Sequence, residues 1–293
     1  MFTATLIASD RLAAGDVSAA RDRMAEGGCA PGDWRWLDEG EAADCDFDAA
    51  PDRARNALEG AIDGVDVVVQ PMAGRAKALL IADMDSTMIT VECIDELADY
   101  AGIKGRVAAV TEAAMRGELD FAGALDARVA LLKGLDEAAI DRCLAERVRI
   151  MPGAEVLVRT MRARGAYTVL VSGGFTRFAE PVAERIGFER AIANRLLVED
   201  GRLTGAVARP IVDAATKLAT LEAVIAERGL AREATLAVGD GANDLPMIRA
   251  AGLGIAYRAK PVVAAAAAAR VDHADLRALL WAQGIARAEW ARA

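Results

Sequence analysis

Three short apolar runs, at residues 78–82, 167–171 and 234–238, each break off at a polar cluster headed by Asp83, Ser172 and Gly239-Asp240. Continuous apolar runs of this length, alternating with helix-periodic stretches, are the pattern of strands buried on both faces of a parallel sheet. In open α/β sheets, ligands collect beyond the carboxyl ends of the strands, near a switch in strand order. The three polar clusters, far apart in the chain, are therefore expected to meet in one crevice of an α/β fold.

The rest of the chain organises around that sheet. Between the first two runs lie about 60 residues with no strand signal, and a crossover needs only about a dozen. Residues 94–101, 106–115, 121–133 and 136–147 have amphipathic helical spacing, so this insertion, at about 90–150, is expected to be a helical cap over the crevice. Downstream, 191–198 and 202–206 suggest a hairpin around Glu199-Asp200-Gly201. Residues 214–228, 245–250 and 261–270 suggest helices. The first 71 residues form a separate pattern, with strands at 3–8, 34–37 and 65–70, helices at 17–25 and 51–62, and an acidic stretch at 38–48 expected as an exposed loop. Pro71-Met72-Ala73-Gly74 breaks the pattern and marks a linker, which divides the chain into 1–71 and 72–293.

Composition narrows the chemistry. At 293 residues the chain has room for about two domains. It holds one histidine, so a Ser-His-Asp triad would need His273 and a multi-histidine zinc site is excluded. His273 itself is expected near a C-terminal helix start, as a cap or surface residue. A net charge of −9 and 4% aromatic residues argue against nucleic acid or an anionic membrane as partner. No apolar run approaches the ~18 residues of a membrane span, and residues 1–10 lack the basic flank of a signal peptide. Cys29, Cys45, Cys93 and Cys143 are far apart with no C-x-x-C pair, the usage of reduced thiols in a cytoplasmic protein.

The chemistry is left to carboxylates, hydroxyls, amides and five lysines among the 35 lysines and arginines. Asp83 and Asp85 follow one buried strand, and Asp240 and Asp244 follow another. Two acid pairs facing one crevice call for a cation, and hard oxygen ligands suit Mg²⁺. A polar turn or an Asx loop would explain either pair alone, but less readily both. Ser172-Gly173-Gly174 can cradle an anion with a hydroxyl and amides, although Ser-Gly-Gly is also ordinary turn chemistry. Lys217 near the start of a helix is, taken alone, unremarkable.

Taken together in this order, Asp83-x-Asp85-x-Thr87, Ser172, Lys217 and Gly239-Asp240-x-x-x-Asp244 resemble the haloacid-dehalogenase-type (HAD) phosphatase superfamily. Glu92, Arg128-Val129-Ala130-Leu131-Leu132, Ser172-Gly173-Gly174-Phe175 and Gly239-Asp240-Gly241-Ala242-Asn243-Asp244-Leu245 are similar to the phosphoserine phosphatase family within it. The likeness covers roughly residues 78–260. It implies a Rossmann-like HAD core with the inserted cap, and Mg²⁺-dependent hydrolysis of O-phospho-L-serine. Asp83 would be nucleophile and Asp85 general acid and base. Asp83, the Asp85 backbone, Asp240 and Asp244 would hold the metal. Ser172, Gly173 and Lys217 would bind phosphoryl oxygens, with Asn243 close by. Glu92 and Arg128 would read the ammonium and carboxylate of the substrate, and Met115 and Phe121 would line its pocket. An arginine on a cap helix is also often solvated, Glu92 can simply start a helix, and Met115 and Phe121 can be cap core.

The β-α-β-β-α-β-like order of the first 71 residues resembles ACT-like amino-acid-binding regulatory domains. No residue there signals a ligand, which leaves a spacer or a homodimer-forming role equally open. Two other functions fit the same residues: a phosphatase or phosphotransferase for another small phosphomonoester, and an amino-acid-responsive regulatory protein with a vestigial phosphatase half.

Overall fold

A computed structural model describes residues 1–292, apart from the side chain of Met115. The N-terminal unit runs β1 (Phe2–Ala8), α1 (Ala14–Glu26), β2 (Pro31–Asp38), β3 (Ala42–Phe47), α2 (Pro51–Leu58) and β4 (Val65–Pro71). Its antiparallel sheet has the order β2-β3-β1-β4. Successive residues of a strand face opposite sides, and here both sides are covered. Leu6 packs with Met24 and Leu58 of the unit's own helices, while its neighbour Ile7 joins Leu280 and Trp281 near the C-terminus. The order is the β-α-β-β-α-β of the ACT-like arrangement.

The acidic stretch is not an exposed loop. β3 lies inside the sheet, and Asp44 within it has no exposed surface. A buried carboxylate survives only with partners. Arg75 donates to both Asp44 oxygens at 2.8 Å, Thr5 donates to Oδ1 at 2.7 Å, and Arg35 donates to Oδ2 at 3.0 Å. No local pattern announces these partners, which is why the acids read as loop.

The second sheet is parallel, with the order β12-β11-β10-β5-β6-β7. β5 (Leu79–Ala82) leads into the cap helices α3 (Cys93–Tyr100), α4 (Lys104–Met115), α5 (Phe121–Ala130) and α6 (Ala138–Arg147). The chain returns through α7 (Ala154–Ala163), β6 (Tyr167–Phe175), α8 (Thr176–Ile186) and β7 (Arg190–Asn194). A small hairpin, β8 (Leu196–Glu199) and β9 (Arg202–Val207), precedes α9 (Ala214–Arg228). The other half of the sheet follows as β10 (Thr235–Gly239), α10 (Leu245–Ala250), β11 (Leu253–Tyr257), α11 (Pro261–Ala264) and β12 (Ala269–Val271), with α12 (Ala278–Ala282) closing on the N-terminal unit.

Two further sequence expectations change, and the surface position expected of His273 holds. The hairpin's first strand is two elements: residues up to Asn194 join the parallel sheet, and β8 starts at Leu196. The alanine-rich helix stops at Ala264 and turns over residues 265–268, and Ala269–Val271 take an edge slot beside β11, where the sheet's ladder overrides helix propensity. His273 precedes α12 by several residues; it is exposed, and its backbone N–H donates to Asp66.

Candidate active site

β5 is flanked by β10 on one side and β6 on the other, so strand order switches direction at β5. A crevice opens at such a point, and the chain has placed acids there. Asp83 follows β5, with its N–H donating to the carbonyl of Val238 at 3.0 Å. Asp240 follows β10, and Asp244 sits at the start of α10. Carboxylate oxygens of Asp83, Asp240 and Asp244 lie within 4.8 Å of one another. The tight approach needs Gly239, where a Cβ would stand 2.4 Å from the Asp244 carboxyl carbon.

Lys217 is fully buried beneath this cluster. It donates to Asp83, and to Asp244 at 2.6 Å. α9 aims it there from a first turn capped by Asp213, which accepts the N–H of Thr216 at 2.8 Å. Burial, then repulsion from Asp244, raises Asp83 well above the usual carboxylate range. Burial, again followed by Asp244, pushes Asp240 to about 6. Burial alone would lower Lys217, but Asp83 and Asp244 outweigh it and hold the ammonium charged. Three carboxylates against one ammonium leave an excess of negative charge and a donor set made only of oxygen. That composition fits a hard divalent cation.

The cluster opens into a cavity of about 390 Å³. Its floor carries Asp83, Asp85, Ser172, Gly173, Asp240 and Asn243, and the cap contributes Glu92, Phe121 and Arg128. Asp85 does not join the three-carboxylate cluster with its side chain. It accepts the N–H of Cys93 at 3.3 Å, and burial, then the charge of Glu92, raises it to about 7. Burial lowers the guanidinium of Arg128, which Asp95, Glu92 and Asp85 partly counter. Its Nε donates to the Ala124 carbonyl at 3.2 Å. Phe121 closes over the anion turn; a Cβ on Gly173 would stand 3.2 Å from its ring. The side chain of Met115 lies outside the described residues.

A domain model for haloacid dehalogenase-like hydrolases matches residues 80–249, which span the strand-end acids, the cap, the Ser-Gly-Gly turn and Lys217. The chain belongs to the haloacid dehalogenase-like hydrolase family. Within that family, it is 48% identical to a phosphoserine phosphatase of Streptomyces coelicolor over 82% of this chain. The chain spans 58% of that relative's own length, less than two thirds. Among solved structures it is similar to a haloacid dehalogenase family hydrolase from Salmonella enterica serovar Typhi, with TM-score 0.84 and 29% identity, covering 96% of this chain and 97% of that one. It is also similar to a probable phosphoserine phosphatase from Vibrio cholerae, with TM-score 0.79 and 32% identity, covering 98% and 88%.

Thr87 stands in the sequence motif without a role there, and Ser86 and Lys260 were given none in the sequence. Thr87 donates to Asp240 at 3.2 Å, and Ser86, held at φ +56°, donates to Glu92 at 2.6 Å. Both stand inside the Asp83–Thr87 cluster, so their nearness to the acids was a usable signal. Lys260 lines the cavity from the β11–α11 turn and had no such signal. A larger cavity of about 710 Å³ lies between α2 and the α11–β12 edge, but its arginines Arg55 and Arg270 already pair with Glu59. The smaller cavity is the one lined by Asp83 and Asp240 of the acid cluster. Among the described residues, no helix is long and apolar enough to cross a membrane.

Proposed function

We propose that this chain is a Mg²⁺-dependent phosphoserine phosphatase, hydrolysing O-phospho-L-serine to L-serine and phosphate. One observation carries the reading. A single cavity joins two strand-end aspartates and the Ser-Gly-Gly turn to a cap wall bearing one anion, Glu92, and one guanidinium, Arg128. An amino acid's ammonium and carboxylate match that opposed pair, and a guanidinium fork suits a carboxylate. The floor suits its phosphoryl group.

In this reading the Asp83 carboxylate attacks phosphorus, forming an aspartyl-phosphate as the ester bond breaks. Asp85, raised to about 7, gives its proton to the departing serine oxygen. It then takes a proton from water, which attacks the acyl-phosphate phosphorus and frees Asp83 and inorganic phosphate. Ser172, Gly173 and Lys217 bind phosphoryl oxygens, with Asn243 on the same wall. Asp83, the Asp85 backbone, Asp240 and Asp244 would hold Mg²⁺, and Phe121 shields the pocket. Bound Mg²⁺ supplies charge neutralisation for the phosphoryl oxygens. Residues 1–71, with an apolar cluster of their own, are taken as an ACT-like regulatory or dimerisation unit, and 72–293 as the phosphatase unit. Four free, buried cysteines support a cytoplasmic setting.

A panel of phosphomonoesters, including both enantiomers of phosphoserine, tests this with Mg²⁺ and then with a chelator. Phosphate release should favour O-phospho-L-serine, require the metal, and vanish in Asp83→Asn. Undiminished phosphoserine turnover in both Glu92→Ala and Arg128→Ala would transfer the assignment to another phosphomonoester. Negligible release from every ester, with or without metal, would favour a regulatory protein.

A further inference from the structure

The phosphoryl cradle in the proposed reaction is built from two segments that have no covalent reason to stay in register. One is the bulged Ser172-Gly173-Gly174 segment within β6, and the other is the loop that leads through Asp213 into α9 and Lys217. β6 and β7 pair as Val171 with Ile192 and then Phe175 with Asn194, so four steps along β6 face two along β7. The surplus bulges the Ser-Gly-Gly segment of β6 out of the ladder with β7, and its backbone groups need other partners.

Asn194, only 2% exposed, supplies them. Its Nδ2 donates to the Gly173 carbonyl at 2.8 Å and to the Val212 carbonyl at 3.4 Å, and its Oδ1 accepts the N–H of Val212 at 2.8 Å. The Gly173 carbonyl and the Gly174 N–H belong to one rigid peptide plane. With the carbonyl held by Asn194, the N–H donates to Ser172 Oγ at 2.8 Å. Ser172 Oγ therefore acts as an acceptor inside the protein, and its own O–H is left to donate into the cavity. On the other arm, Val212 immediately precedes Asp213, whose side chain caps α9 and whose carbonyl accepts the N–H of Lys217 at 3.0 Å. We infer that Asn194 is a positioning residue that sets the Ser172 hydroxyl and the Lys217 ammonium in one phosphoryl-binding geometry. The inference rests on the phosphatase reading given above.

Asn194→Asp keeps the size but replaces both donors with a buried carboxylate facing two carbonyls; Asn194→Ser is the milder change. Misplacing a supporting group of this kind costs about 10- to 100-fold. Both variants should weaken the binding of inorganic phosphate in the presence of Mg²⁺, and lower kcat/KM for phosphoserine, by that order. Thr235→Val is the control. Thr235 is fully buried at the opposite end of β10, where its hydroxyl bridges Arg232 and Gly252. It should lower the melting temperature and leave phosphate affinity within about twofold. Asn194 variants that melt lower but bind phosphate like the parent would overturn the inference, because a purely structural role predicts that pattern. Failure of both variants to fold would overturn it as well. A parent that binds phosphate but does not hydrolyse phosphoserine would defeat the substrate assignment, while the phosphate affinities would still decide the role of Asn194.

Discussion

Asp85 and Glu92 set each other's work. Burial comes first and the Glu92 charge second in lifting Asp85 to about 7, which keeps a proton available near neutrality. In the proposed reaction the leaving oxygen takes that proton, which makes the protonated form the active one, so kcat/KM should fall as pH rises through about 7. Glu92→Gln removes the repulsion, lowers the Asp85 pKa, and should move this falling limb to lower pH. A pH profile in which the limb stays fixed or moves upward would exclude the coupling. Asp85→Asn should lower kcat by about 10²- to 10⁴-fold, the usual range for one proton-transfer group.

Among the elements, β3 holds the most exposed expectation of the sequence reading and its clearest correction. The strand carries Asp44 into the interior because Arg75, Arg35 and Thr5 meet it there. Arg75 also donates to the carbonyls of Ala282 and Trp281, so the same guanidinium ties β3 to the end of the chain. Breaking one partner of a buried pair leaves an uncompensated charge. Asp44→Ala should therefore cost about 3–5 kcal/mol in urea unfolding. The double change Asp44→Ala with Arg75→Met should recover much of that loss, since neither charge then stays buried. Equal losses in single and double variants would mean that the pair's packing, not its charge, matters.

For the whole molecule, the three-carboxylate cluster and the sheet that assembles it are one thermodynamic unit. Asp83, Asp240 and Asp244 repel one another at close range, and only the folded chain brings them together. A cation that binds the native state alone adds RT ln(1 + [L]/Kd), about 2.7 kcal/mol at 100 times Kd. Mg²⁺ should thus raise the melting temperature, and Asp240→Asn should remove most of the rise; a melting temperature indifferent to Mg²⁺ would contradict the metal site. The strand-end acids and the helical cap were legible in the sequence because each is announced by neighbours within a few residues, an apolar run or a helical period, whereas Ser172-Gly173-Gly174 and Lys217 were ambiguous alone and stood out only as members of the ordered motif set. Three things depended on residues far away in the chain. β12 exists because β11 offers a ladder, β3 because Arg75 neutralises Asp44, and Asn194 matters because β6 bulges beside it. Strand order belongs with these. Local pattern marked Asp83, Ser172 and Asp240 as strand ends, and only the parallel pairing of β10, β5 and β6 made them neighbours, since backbone hydrogen bonds between strands carry no trace in either strand's own periodicity.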